Sequence, residues 1–267
     1  MSAIVAFSDV HLGYDRTDYD HFMEFLQELQ NRDDLADVVI VGDLVDLWRR
    51  DIVGLEFALS KYVEELKRLQ NKVNVHYVLG NHDFHVGYLK NHDYPLKPQS
   101  SLTIERFGYT VRFLHGHQCD PLQNILGPNT SEILCWTLSD DVGEAKSRLW
   151  DLFGTKSKLP KEEFEANVES LMRPPEDERR IQAFGLPADF VDCIKAYLKV
   201  TEEKEFIVFG HTHEPFIDVN SRVANTGCWI KGANPANTYF EFVRWPPRIV
   251  EFNGQPLIPT TISKLKF

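Results

Sequence analysis

Apolar residues in this chain fall into two kinds of run. Residues 3–7 (AIVAF), 37–41 (DVVIV) and 72–80 (KVNVHYVLG) are strand-length and rich in β-branched side chains. Between them, Phe22, Phe25, Leu26 and Leu29 predict a helix over 21–30. Leu55, Leu59, Tyr62, Val63, Leu66 and Leu69 predict another over 55–69. This β-α-β-α-β order predicts a parallel sheet, whose functional residues belong at the carboxyl ends of its strands. A hairpin is expected from strands 101–106 and 109–114 around Phe107-Gly108. Residues 119–200 then change character, with helical segments near 130–152, 161–172 and 187–199 and no convincing strand. Strands resume at 205–210, 216–220, 222–227, 238–245 and 248–252. The predicted organisation is an α/β core of residues 1–118 and 201–267, interrupted by a helical insertion at 119–200.

The polar residues that end these runs carry the chemistry. Six of the ten histidines sit in five clusters, each following an apolar run: SDVH at 8–11, VGDLVD at 41–46, GNHD at 80–83, HGH at 115–117 and GHTH at 210–213. A phosphate ester resists water because its anionic oxygens repel a nucleophile. Two neighbouring divalent ions overcome this by clamping those oxygens and generating hydroxide at neutral pH. Such a pair needs one carboxylate able to bridge both ions, together with hard oxygen and imidazole ligands. Asp43, at the tip of the second predicted strand, is the natural bridge. Asp9, His11 and His213 complete one site, and Asn81, His115 and His211 the other. His82 is placed to protonate the leaving alkoxide, with Asp83 as its hydrogen-bond partner, raising its pKa. His85 is a candidate substrate contact. Taken singly, GD after a strand is usually a turn and GNHD could be an Asx-turn. All five clusters in this order leave little room for that reading.

Charge and cysteine usage narrow the setting. Forty acidic against 29 basic residues leave a net charge of −11, which argues against a duplex-binding surface, although bound metal would neutralise several acids. Cys119, Cys135, Cys193 and Cys228 form neither CxxC pairs nor a dense framework, which suits unpaired thiols in a reducing cytoplasm. The opening MSAIVAFSDVH has no basic n-region or cleavage site, so no signal peptide is expected. No apolar stretch approaches the roughly 20 residues of a membrane span.

These motifs together resemble the calcineurin-like metallophosphoesterases, whose pattern of DxH, GDxxD, GNH(D/E), a histidine after a strand and GHxH is matched from residue 3 to about residue 230, outside the insertion. The resemblance implies a four-layer α/β/β/α sandwich with a di-metal site at the sheet edge. It also implies the ligand set above, a metal-bridging hydroxide attacking phosphorus, and ions such as manganese, iron or zinc. Because the family's histidine ligand ends a strand, His115 takes that place and His117 faces the substrate or lies behind the ligands. Within the superfamily the chain is similar to the UDP-2,3-diacylglucosamine hydrolase group in GDLVDLW at 42–48, GNHDFHVG at 80–87, GHTHEP at 210–215 and NTGCW at 225–229. That group cleaves a pyrophosphate bond in a nucleotide-linked lipid precursor, and its helical lid corresponds to the insertion here. It usually has arginine at the position of His82 and aspartate at that of His117.

The expected activity is therefore cleavage of a phosphodiester or pyrophosphate bond in a small or lipid-linked substrate. Two alternatives stand beside it. SDVHLGY at 8–14 and GNHD also resemble the nuclease subunit of double-strand-break repair complexes, but no segment corresponds to that protein's DNA-capping domain. A non-catalytic metal-binding scaffold is the other; such members usually have eroded ligands, and none is missing here.

Overall fold

Alternate side chains of the predicted strands enter two different apolar layers, which is why these runs read as continuously hydrophobic. In strand β1 (Ala3–Phe7), Ala3, Val5 and Phe7 pack with Phe22, Phe25, Leu26 and Leu29 of helix α1 (Tyr19–Gln30). Tyr62, Leu66 and Leu69 of α2 (Ile52–Gln70) join the same cluster. Ile4 and Ala6 face the other way. They meet Val39 and Val41 of β2 (Leu35–Val41), Val78 of β3 (Asn74–Val78) and side chains of a second sheet. The computed structural model describes residues 2–47, 52–84, 86, 96–119, 160–162, 187–198 and 204–259.

The first sheet has the order β11-β10-β1-β2-β3-β4, with β4 at Pro98–Gln99, β10 at Thr238–Phe242 and β11 at Arg248–Glu251. Strands β1 to β4 run parallel, and β10 and β11 add an antiparallel edge. The second sheet, β5-β6-β7-β9-β8, contains β5 (Leu102–Arg106), β6 (Tyr109–Phe113), β7 (Glu205–Phe209), β8 (Phe216–Asp218) and β9 (Val223–Asn225). Here β6, β7 and β9 are parallel. Val111, Phe113, Phe206 and Val208 face the first sheet. Ile207 and Phe209 face helix α3 (Pro187–Tyr197) through Val191 and Ile194. The four layers are therefore α1 with α2, two sheets, and α3.

The hairpin forms as expected. Phe107 and Gly108 both have positive φ, 54° and 78°, the two-residue turn that matches strand twist. Strand β4 was not foreseen, because two residues carry no alternation. Strand β10 stops at Phe242 rather than 245, and Pro246 and Pro247, just beyond, lack ladder donors. The boundary of the insertion also needs correction. Residues from 187 were assigned to it, yet α3 packs directly on the second sheet and supplies the sandwich's fourth layer. The helices expected near 130–152 and 161–172 lie outside the described residues except at 161 and 162.

The cysteines depart from the unpaired thiols expected of them. Cys119 and Cys193 form a disulfide, their Cα atoms 6.0 Å apart and their positions separated by 74 residues. Spacing alone could not show this, because the pair meets only where α3 packs beside the turn His117–Cys119. The bond removes the argument from cysteine usage for a reducing compartment. Among the described residues, no helix is long and apolar enough to cross a membrane. A cross-link closing a loop of this length restricts the unfolded chain, so Cys193→Ser is expected to lower unfolding free energy by about 2–4 kcal/mol. Urea titration with and without a dithiol reductant checks this. Reductant should bring the wild-type midpoint down to that of the variant, and identical wild-type midpoints would refute it.

Candidate metal centre

Every predicted ligand lies just past the carboxyl end of a strand: Asp9 and His11 after β1, Asp43 after β2, Asn81 after β3, His115 after β6, and His211 and His213 after β7. Both sheets thus deliver residues to one end of the sandwich. The loops turn sharply to do so. Asp9, His11, Asp43, His211 and His213 all have left-handed backbones, with φ of 53°, 53°, 51°, 70° and 62°. Aspartate and histidine are among the few residues enriched in that region, though each such position costs on the order of 1 kcal/mol or more. Cross-loop hydrogen bonds offset the cost. Asp9 N–H donates to Gly42 O (3.1 Å), His11 N–H to Asp43 O (2.9 Å) and Trp229 N–H to Asp9 O (3.1 Å).

The side chains form two joined groups. In the first, His213 Nε2 is 3.1 Å from Asp9 Oδ1 and 3.2 Å from His11 Nε2. In the second, Asn81 Oδ1 is 3.1 Å from both His115 Nε2 and His211 Nδ1. Asp43 joins them, with Oδ2 at 3.2 Å from His115 Nε2 and 3.8 Å from His11 Nε2. All seven residues are buried.

Glycines set how closely these loops approach. A Cβ on Gly42 would strike the His115 ring, one on Gly80 the Asp43 carboxylate and backbone, and one on Gly210 the side chains of Ser8 and Asp9. Gly80→Ala is therefore expected to displace Asp43 and destabilise the fold by about 1–3 kcal/mol. Calorimetry and metal-content analysis of the variant check this, and a wild-type melting temperature with wild-type metal content would refute it.

The donor set fits divalent cations. Asp9 Oδ2 accepts hydrogen bonds from the Ser8 hydroxyl and the His211 N–H, whereas Oδ1 is buried without any hydrogen-bond partner and faces the histidines. A buried carboxylate oxygen left in this way calls for a cation. Asp9 with His11 and His213, and Asp9 with Asp43 and His115, each form a group that could hold an ion. Charge balance agrees. Burial would raise the pKa of Asp9, but His213 and His115 outweigh it and lower the pKa; for Asp43 the same burial is outweighed by His115 and His82. Burial would depress His115, yet Asp43 and Asp9 push it up to about 10. The protein alone thus holds a proton where the two carboxylates demand positive charge. His115 Nδ1 meets Val41 O at 2.8 Å, which turns Nε2 toward Asp43 and Asn81.

The pairing assigned to His82 from sequence needs correction. Its Nδ1 meets Asp46 Oδ1 at 3.0 Å, and the other Asp46 oxygen lies 3.3 Å from His11 Nδ1. Asp83 instead accepts the Gly80 N–H (2.6 Å), the Leu44 N–H (2.8 Å) and the Tyr77 hydroxyl. It ties the Asp43 loop to the Asn81 loop and does not orient the imidazole. Nor is the His82 pKa raised: burial pushes it down to about 4, more than Asp46 and Asp43 pull it up. Asp83, buried beside Asp43, is pushed up to about 7.

Asp46 was present in the VGDLVD cluster but received no role; its spacing three residues after Asp43 was the available signal. Ser8, Thr226 and Asn225, which pack behind the ligands, carry weaker signals, since no periodicity marks a residue whose partners are set by tertiary hydrogen bonds. His117 is buried beside the second group, its ring centroid 5.6 Å from that of His115 and 6.4 Å from that of His211. Its Nδ1 has no hydrogen-bond partner. His85 lies outside the described residues.

The chain is 25% identical over 212 residues to a UDP-2,3-diacylglucosamine hydrolase of Shewanella baltica, covering 78% of this chain and 80% of that protein. It is 26% identical over 220 residues to the Shewanella loihica protein of the same name, covering 81% and 82%. Yfce, a phosphoesterase from E. coli, shares the fold with a TM-score of 0.51 at 17% identity, over 97% of this chain and 99% of that one. A family model described as calcineurin-like phosphoesterase matches residues 2–215, which span every ligand-bearing loop described above. The chain belongs to the calcineurin-like phosphoesterase family and is a metal-dependent phosphoesterase.

Proposed function

We propose that this protein cleaves a phosphodiester or pyrophosphate bond at a centre of two ions, with His82 as the proton donor to the leaving oxygen. The observation that carries the reading is the place of Asp43. One carboxylate oxygen faces His11 on one side and His115 on the other, while Oδ1 is held by the His82 N–H at 2.8 Å. Two divalent ions bound there would draw in phosphate oxygens and supply a nucleophile from water at neutral pH. Asp9, His11, Asp43 and His213 would hold one ion, and Asp43, Asn81, His115 and His211 the other. Manganese suits this mixed oxygen and nitrogen set, with iron and zinc as alternatives.

The chain's own residues supply the rest. Asp46 fixes the His82 ring through Nδ1, which leaves Nε2 as the nitrogen that carries the proton to the leaving group. His82 is neutral at pH 7, because burial lowers its pKa; the arrival of an anionic phosphate favours its protonation, and Asp46 stabilises the resulting imidazolium. Among the described residues, His117 is the candidate contact to the substrate. Similarity to two proteins named UDP-2,3-diacylglucosamine hydrolase supports a nucleotide-linked lipid as one candidate substrate.

The test is hydrolysis by manganese-reconstituted protein of an aryl phosphomonoester, an aryl phosphodiester, a UDP-linked diacyl sugar and single-stranded DNA, with EDTA as control. Preference for the UDP-linked lipid supports the full reading. Cleavage of the plain diester alone keeps the chemistry and removes the lipid. Preference for DNA would favour a nuclease, and two bound ions without turnover of any substrate would favour a scaffold.

A further inference from the structure

The loop from Gly210 to His213 has an unusual task. It supplies His211 to one group of ligands and His213 to the other, and both residues hold left-handed backbones. Two such residues separated by one position do not persist unless the surroundings enforce them. The enforcing contacts come from Asn225, the last residue of β9, fully buried and paired with Phe209 at the end of β7. Its Nδ2 donates to the carbonyl of Gly210 at 2.7 Å and to the hydroxyl of Thr212 at 3.0 Å. Its Oδ1 accepts the Gly227 N–H at 2.8 Å. Within the loop, Thr212 N–H donates to Gly210 O at 2.8 Å, and on the far side His211 N–H donates to Asp9 Oδ2 at 2.9 Å.

We propose that Asn225 is a positioning residue: its side-chain amide holds the His211–His213 loop in the one conformation that serves both ions. The inference rests on the metal-centre reading above. The chemistry of the position is specific. Only a side chain with two donors and one acceptor at this length meets Gly210 O, Thr212 Oγ1 and Gly227 N–H together. An aspartate of the same shape would set a carboxylate oxygen against the Gly210 carbonyl. Because one amide holds the loop that carries both histidines, its loss should weaken both ions together, whereas removal of a single ligand acts mainly on one.

The experiment is manganese titration of metal-free wild type, Asn225→Asp and His211→Ala, with bound ion counted by elemental analysis and spin coupling between the two ions read by electron paramagnetic resonance. Circular dichroism of each metal-free protein establishes that it is folded. The expected result is that Asn225→Asp weakens both binding steps by about 10- to 100-fold and loses the coupled signal at manganese concentrations that saturate wild type. His211→Ala should lose mainly one step. If Asn225→Asp does not fold, Thr212→Val removes one of the three contacts while keeping the side chain's shape, and a smaller weakening of both steps is expected there. Wild-type affinity and wild-type coupling in Asn225→Asp, or in Thr212→Val when that variant stands in, would overturn the role of Asn225. Failure of wild type itself to bind two ions would overturn the metal centre, a result distinct from equal binding by wild type and variant.

Discussion

Asp43→Asn is expected to abolish turnover, with a loss of more than about a thousandfold. The substitution keeps the volume of the side chain and an acceptor for the His82 N–H, so the fold should survive. What changes is the oxygen between His11 and His115, which is part of an anionic carboxylate in the wild type. An amide there has one neutral oxygen and one NH2 group. Either the NH2 faces the histidines and repels cations, or it faces the His82 N–H and breaks that contact. Removing the charge also removes the partner that, with Asp9, pushes the His115 pKa up to about 10. Metal content should therefore fall together with activity. Elemental analysis after dialysis against manganese, beside a turnover assay on an aryl phosphodiester, measures both. A variant that keeps two ions and a tenth or more of its activity would show that Asp43 is not shared between sites.

His82→Ala should leave metal content unchanged and reduce turnover by about 10²–10⁴-fold on substrates with poor leaving groups. Good leaving groups need no proton, so an aryl ester with an acidic phenol should be affected much less. Burial holds the His82 pKa below the ordinary imidazole value, to about 4 in the metal-free chain, and this sets the direction of the pH dependence. Above that value the protonated fraction of the free enzyme falls about tenfold per pH unit. The ratio of wild-type to variant kcat/KM on a poor leaving group should consequently shrink as pH rises from 5 to 8. Asp46→Asn should produce a milder version of the same defect, because Asp46 orients both His82 and His11. Equal kcat/KM for wild type and His82→Ala across a leaving-group series would remove the proton-donor role.

Much of this site is legible in the chain, for a physical reason. In a parallel sheet the loops past the carboxyl ends of the strands gather at one edge, so residues far apart in sequence converge once the strands are recognised. The left-handed positions at Asp9, His11, Asp43, His211 and His213 add a second reason. Chemistry and backbone there require the same few residue types. Adjacency to His82 in sequence suggests Asp83 as its partner, but adjacency is not proximity in space. The Asp83 carboxylate points instead to the backbone of Leu44 and Gly80, and Asp46 from another strand end reaches the imidazole.

From residue pattern alone come every strand but β4, the two helices that cover the first sheet, the seven metal-ligand candidates and the class of reaction. All of these depend on local periodicity or on residue types that a given chemistry demands. Which carboxylate orients which histidine, the joining of Cys119 to Cys193, the place of α3 as a fourth layer and the role of Asn225 depend on how strand ends, loops and α3 meet in space. Those contacts link residues a dozen or more positions apart through single hydrogen bonds, bonded sulfurs and shared apolar surface. They leave no periodic mark in a sequence, and only the tertiary structure decides them.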